Sequence, residues 1–470
     1  MNFRPHAVCI PFILTLALLS GNETRTAWSD DAPSPQSSIA KTILVGDVQI
    51  LKSALPDELA IRENLGLLTA KDVTGKVIYG MSLSESQQSY LTTQRQKKRF
   101  PRVLETRCVV TPRGDLLLMF PYGQHYAGAK QKVNDMLVFH SQDNGKTWDG
   151  PHKVFKTETN HHGFIPLVPR GSNRIYAFGT QPVKGRFDGH ENAAIGYRWS
   201  DDDGHTWSSV VLISPSNDAG FQGMSVMRMA ETESGVWVLG SHTSTKFFAV
   251  GSGQKTTSTR QYVLRSGDQG KTWEVFPGKR PDGWKDTEFD RMEEGRVISL
   301  GKEELLVHLR TATGRVWEAR SSDGGQTWSK PKPTALVHPL APPMTFHLSD
   351  GKTLAAFHHN LVARAPYYPH NHNARREIWI STSADGGRTW SEPRFVFANA
   401  TPADKPALNQ CSYLDMVTKD HVLHMFIPHQ WRRALHLQMK EADIDKLPTA
   451  RQLQAGLPAS ANSRVSKSTD

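Results

Sequence analysis

Five copies of one eight-residue pattern, Ser-x-Asp-x-Gly-x-Thr-Trp, punctuate this chain: Ser141–Trp148, Ser200–Trp207, Ser266–Trp273, Ser321–Trp328 and Ser383–Trp390. Their starts lie 55 to 66 residues apart. Self-similarity at such a period marks an architecture in which each repeat is one supersecondary unit that cannot bury its apolar face alone. The pattern also has a mechanical meaning. An Asp side chain accepts bonds from backbone N–H groups ahead of it and so closes a turn. A Gly two residues later tolerates the positive φ that such a turn demands. Thr and Trp then open a strand, with the indole covering the turn from its apolar side. The five Asp residues read as structural staples and not as catalytic groups.

Short apolar runs flank each copy. Met136–Phe139, Ala194–Tyr197, Tyr262–Leu264, Val316–Trp317 and Ile378–Ile380 precede the turns. Between copies lie further strand candidates at Asp115–Phe120, Gly235–Leu239, Glu304–Val307 and Thr353–Phe357. With 36 Gly and 28 Pro, the chain favours short strands and many turns over long helices. Roughly four strands per sixty residues is the length of a propeller blade. Five copies mark five blades. A sixth, without the pattern, is built from Cys411–Val417, Val422–Ile427 and Ala434–Gln438. An N-terminal strand, either Thr42–Val45 or Lys76–Tyr79, is expected to complete it, because an open ring leaves exposed strand edges. The expected class is all-β, a six-bladed β-propeller over residues 96–445 with an N-terminal extension, residues 30–95, partly packed on it. Residues 446–470 read as a disordered tail.

The start of the chain reads as an export signal, residues 1–29: Arg4, then an apolar run from Val8 to Leu19 too short to span a bilayer comfortably, then polar sequence. An uncleaved anchor is the alternative. The expected location is periplasmic or secreted, with no stable membrane insertion after cleavage. The net charge of +10 admits an acidic partner such as a glycan. The only dense basic run, Arg95–Arg99, is short and lacks interleaved aromatics, which argues against nucleic acid. Of three Cys residues, Cys9 falls in the signal. Cys108 and Cys411 read as buried thiols, with a clasp between the first and last blades as the alternative.

The eight-residue pattern resembles the Asp box, or BNR repeat, of the sialidase (neuraminidase) superfamily, and the resemblance covers about residues 100–440. It implies a sialidase-like propeller, a fold that carries glycosidases but also non-enzymatic and other glycan-active proteins. It also implies a site with three arginines on a sugar carboxylate, a Tyr nucleophile paired with Glu, and an Asp acid/base. Three guanidinium groups can fork onto one carboxylate. A neutral Tyr nucleophile avoids the repulsion that a carboxylate would meet from an anionic substrate.

Carried over residue by residue, Glu294 followed by the strand ending in Arg310 resembles the family's Glu and one triad Arg. Arg375-Arg376 before the last box resembles another, with Arg376 preferred. Tyr413-Leu-Asp415-Met416 resembles the segment carrying the nucleophile, although a shifted register puts Cys411 at that position. The first blade lacks the family's Arg-Ile-Pro, which leaves Arg102 or Arg107 for the third guanidinium. No Asp stands between Leu116 and Asn134; His125 is the proton-transfer candidate there. Arg228 is a further charged candidate at the start of an inner strand. His161, His162, His338, His358, His359, His370 and His372, with His190 and His242, read as partners of sugar hydroxyls or of each other, with a metal site as the lesser alternative. No metal and no cofactor is expected. The sequence thus points to a sialidase-like hydrolase of an acidic sugar, sialic acid first. Two alternatives remain: a uronic-acid-directed hydrolase or lyase using His125 or Tyr126, and a non-catalytic glycan-binding propeller.

Overall fold

The computed structural model describes residues 59–62, 65–80, 102–103, 105–123, 134–157, 164–181, 192–250, 254–361, 364, 374–399 and 411–455. Six antiparallel sheets follow one another around a ring. The first blade holds Arg107–Val110, Leu116–Gly123, Asn134–Ser141 and Asp149–Thr157. The second holds Ile165–Leu167, Ile175–Gln181, Ala193–Ser200 and Val211–Leu212. The third has an interrupted inner strand, Ser225–Val226 and Ala230–Glu231, then Trp237–Val250, Gln254–Ser266 and Glu274–Phe276. The fourth holds Glu293–Gly301, Glu304–Arg310, Arg315–Ser321 and Lys332–Val337. The fifth holds Met344–His347, Leu354–His358, Glu377–Ser383 and Arg394–Asn399. The sixth starts with Asp415–Lys419, Val422–His429 and Arg433–Lys440.

Its fourth strand comes from far upstream. Thr74–Gly80 pairs antiparallel with Arg433–Lys440, with Leu437 opposite Gly75 and Leu435 opposite Val77. The Lys76–Tyr79 candidate therefore lies in the closing strand, while Thr42–Val45 lies outside the described residues. This strand also explains the missing sixth box. In every other blade the box is the turn between the third and fourth strands. In the sixth blade those strands are not consecutive, so there is no turn to staple. Just upstream, Leu67–Ala70 pairs with the outer strand of the fifth blade, and Leu59–Arg62 pairs with Leu67–Ala70 in turn.

The boxes have the geometry their residues demand. In all five, the Thr N–H donates to the Asp Oδ1 at 2.8–2.9 Å. The Gly N–H donates to the Ser Oγ at 2.7–2.8 Å. Gly145, Gly204, Gly270, Gly325 and Gly387 all have φ between 78° and 92°. The boxes also seal blade boundaries. Trp148 meets Phe426 and His436 of the sixth blade edge-on, at 5.6 Å in each case. Trp390 lies 5.8 Å from His308 of the fourth.

The core lies between blades. Phe120, Phe139, Phe426 and Ala434 fill the seam between the first and sixth. Ile378, Ile380, Met425 and Leu437 fill that between the fifth and sixth. The central strands are covered on both faces, so Leu116–Phe120 is an uninterrupted buried apolar run and not an alternating one.

Of two expectations, the buried thiols hold and the disordered tail needs correction. Cys108 and Cys411 are both free, buried thiols. Cys108 is turned to Asp415 (Sγ to Oδ2 3.6 Å), and Cys411 belongs to the apolar core between the fifth and sixth blades. The chain also stays folded past residue 446. Thr449 bridges Arg394, a short helix spans Ala450–Ala455, and Leu447 and Leu453 are buried. These leucines give the segment an apolar anchor, which the Ala-, Ser- and Lys-rich composition concealed; residues 456–470 lie outside the described set.

Two stability measurements follow. A Cβ on Gly204 would stand 2.2 Å from Leu117 Cδ1, at a φ of 92°. Gly204→Ala is expected to cost about 1–3 kcal/mol, read as a lower Tm. Burial holds His308 and His359 at about 3 and His358 and His424 at about 4. Their unfolded-state value near 6.5 is higher, so the unfolded chain takes up protons first as pH falls. Stability is expected to be full above about pH 6.5 and to decline steadily toward pH 4, checked by Tm across that range.

Candidate active site

In each four-stranded blade, the inner strand starts, the second strand ends and the third starts at one end of the ring. The boxes, between third and fourth strands, stand at the other end. Glu293, Glu294, Arg310, Arg375, Arg376, Arg107 and Tyr413 all fall at the first end, on four different blades.

The local backbone decides how they point. Successive strand residues ordinarily face opposite sides. At the start of Glu293–Gly301 the register shifts: Glu293 opposes Arg310, but Arg296 already opposes His308. Glu294 takes a left-handed conformation, φ 47°. The kink lets two consecutive carboxylates meet one guanidinium. Arg310 Nε lies 3.0 Å from Glu293 Oε1, and its Nη1 donates to Glu294 Oε2 at 2.5 Å. The kink is pinned from behind, where the Glu294 N–H donates to His242 Nδ1 (3.3 Å) and the Gly295 N–H to Gln261 Oε1 (2.7 Å).

Tyr413 is also left-handed, φ 65°. Its hydroxyl donates to Glu294 Oε1 at 3.0 Å and accepts from Arg310 Nη1 at 3.2 Å. Strained non-glycine residues of this kind persist where the surroundings over-determine them, and they concentrate at functional sites. Burial and the Glu294 carboxylate push the Tyr413 hydroxyl well above its ordinary value, against the pull of Arg310. Arg310 stays firmly charged: burial opposes its charge, but Glu294 and Glu293 more than offset that. Glu293 is likewise held ionised at about 2, against burial, by Arg291 and Arg310. Charge alternates along Arg291, Glu293, Arg310 and Glu294 to the Tyr413 hydroxyl.

The remaining candidates divide. Arg375 donates to the Leu340 carbonyl and stands 6.0 Å from the Tyr413 ring centroid. Arg376, the preferred member of the pair, is buried beside Glu377, and burial lowers its value. The structure sets Arg375 against the Tyr413 ring. Arg107 is buried and held by Glu105 at 2.5 Å. Arg228 pairs with Asp415 at 2.8 Å. Arg102 lends its backbone to a two-residue strand against Tyr122–Gly123. His125 and Tyr126 lie outside the described residues, as do His161, His162, His190, His370 and His372. Asp135 sits in the strand before the first box and pairs with Lys153 at 2.8 Å.

Sequence reasoning missed Glu105, Arg291, Arg296 and the roles of Glu293 and Asp415. One signal was available: Glu105-x-Arg107 and Arg291-x-Glu293 are opposite charges two apart, on one face of an extended segment. His338 and His359 stack at 5.1 Å, and the His359 N–H donates to His338 Nδ1. Among the described residues, no group of three or more His, Cys, Asp or Glu could hold a metal ion. No helix among them is long and apolar enough to cross a membrane.

The family model described as a BNR repeat-like domain matches residues 165–425. The chain belongs to this family. Among solved structures, this BNR repeat-like protein is similar to a Hadza microbial sialidase, at 17% identity and TM-score 0.53 over 74% of this chain and 66% of that one. It therefore spans about two thirds of that sialidase's length. It is also similar to the NanB sialidase of Streptococcus pneumoniae, at 12% identity and TM-score 0.52 over 79% of this chain and 71% of that one. A protein of unknown function from Dyadobacter fermentans matches at 14% identity and TM-score 0.50, over 79% of this chain and 99% of that one. No curated protein matches by sequence. These likenesses establish the sialidase-like propeller fold.

Removing Arg310 would strand two buried carboxylates. Arg310→Met is expected to destabilise the protein by about 3–5 kcal/mol at pH 7 in denaturant unfolding. Adding Glu294→Gln should recover part of that loss. No recovery would mean the ion pairs are not what the arginine supplies.

Proposed function

We propose that this protein is a sialidase-like glycoside hydrolase acting on an acidic sugar, sialic acid being the first candidate. One observation carries the reading: the Tyr413 hydroxyl donates to Glu294 while a buried guanidinium, Arg310, touches both. A phenol is a weak nucleophile near neutral pH and needs a neighbouring base. In this reading Tyr413 Oη attacks the anomeric carbon as the glycosidic bond breaks, and its proton passes to Glu294. Arg310 then stabilises the negative charge developing on the tyrosine oxygen. His125 is the proposed proton donor to the leaving oxygen. Water, with that proton path reversed, would then release the sugar from Tyr413.

Arg375, Arg376, Arg107 and Arg102 are the proposed source of guanidinium groups for the sugar's carboxylate. Arg310 belongs to that set by resemblance, although Glu293 and Glu294 already engage it. The basic and then apolar start of the chain supports a periplasmic or secreted location.

The test is release of fluorophore from an α-sialoside and from a panel of uronate glycosides. Turnover of an acidic glycoside is expected, and Tyr413→Phe should lower kcat by about 10²–10⁴-fold while the Tm stays within a few degrees. An unsaturated product absorbing in the near ultraviolet would replace hydrolysis with elimination. Glycan binding without turnover of any substrate would reduce the protein to a lectin-like propeller.

A further inference from the structure

Beyond the tyrosine, charged side chains from several blades meet on the propeller axis. Asp415 heads the inner strand of the sixth blade and is fully buried. Its Oδ2 accepts from Arg228 Nη2 of the third blade at 2.8 Å and from the Cys108 N–H of the first at 3.0 Å. Its Oδ1 accepts from Arg296 Nη2 of the fourth blade at 3.4 Å. Arg228 also donates to the Cys108 carbonyl at 3.0 Å. Both guanidinium groups lie over the ring of Phe346 of the fifth blade, Arg296 at 4.3 Å and Arg228 at 5.6 Å. Side chains from five blades can meet only at the centre of the ring. Arg107 stands close enough to act on the charge of Asp415 as well.

The charges there do not balance. Among the described residues, Arg107, Arg228 and Arg296 face Glu105 and Asp415, three cations against two anions. A buried charge ordinarily persists only when paired and hydrogen-bonded. Arg296 has 1% of its side chain exposed, yet among the described residues its Nε and Nη1 meet no acceptor. Arg107 Nε and Arg228 Nε meet none either. Burial and the neighbouring Arg228 and Arg107 pull Arg296 down to about 9, the direction expected of a cation with too little counter-charge. Arg228 is the member that solvent reaches, with 25% of its side chain exposed.

We infer that the axis holds a small oxyanion-binding site, entered past Arg228 and completed by Arg296. Planar guanidinium forks suit sulfate, phosphate or a carboxylate. Asp415 competes with the anion and orients both arginines. The inference rests on the axial geometry and stands whether or not the tyrosine site is a hydrolase. The anion is either a free ion or the acidic group of a glycan reaching down from the mouth.

Calorimetric titration of the full chain at low ionic strength tests this with two probes, sodium sulfate and glucuronate. One saturable sulfate site is expected, weakened at least about tenfold by Arg228→Gln and tightened by Asp415→Asn. Arg228→Gln alters the partly exposed member, so it keeps the test readable where Arg296→Gln or Asp415→Asn fails to fold. Tyr413→Phe separates the two readings: the hydrolase requires lost turnover, and the axial site requires unchanged sulfate affinity. Glucuronate that displaces sulfate assigns the site to a substrate's acid group. Glucuronate that leaves sulfate bound assigns it to a free ion. The absence of saturable binding of either probe, or unchanged affinity in Arg228→Gln, overturns the inference.

Discussion

Everything at the site end depends on the pairing of Thr74–Gly80 with Arg433–Lys440. Without it the sixth blade ends in an open edge, and only its packing against the first and fifth blades holds it in the ring. The distance between blades in sequence makes this consequential. Tyr413 meets Glu294 across 119 residues, and Asp415 meets Cys108 across 307. Such contacts exist only if a ring brings the last blade back to the first. Arg433 strengthens the closure by donating to the Leu65 carbonyl, which ties a second N-terminal segment to the same blade.

Closure also sets the electrostatics. Inner strands from six directions bury charged groups near the axis, so those groups interact at low effective dielectric. Their signs alternate: Arg291, Glu293, Arg310 and Glu294 at the mouth, and Arg228, Asp415 and Arg296 beyond it. The tyrosine hydroxyl is inserted into the first series, where one neighbour can take its proton and the other can stabilise its anion. The left-handed backbones of Glu294 and Tyr413 are the local cost of that arrangement.

The fold was legible to an unusual degree because the boxes carry their geometry within eight residues. The Asp, Gly and Thr of each box contact one another and need no distant partner. The number of blades was legible too, since a boxless sixth unit follows once its outer strand is supplied from the N-terminal side. The site was legible only in part. Glu294, Arg310 and Tyr413 were found through their resemblance to family segments and do meet. The sequence could not say how Arg375 and Arg376 divide their contacts, because the direction of each of two neighbours depends on the local course of the chain at the strand's start. The sequence offered no means of pairing Arg228 or Arg296 with Asp415.

By itself, then, the amino-acid order determined what is local: five stapled hairpins, strands of buried-run type, the period that makes a blade, and the chemical kinds of residue at each strand's start. The tertiary structure alone decided what is distant. It selected Thr74–Gly80 as the closing strand, turned Glu293 and Glu294 onto one guanidinium through a register shift, and gathered three arginines around Asp415. The physical reason is range. Turn chemistry and strand propensity act over a few residues of chain, whereas charge compensation acts over a few ångströms of space, and only a closed ring converts one into the other.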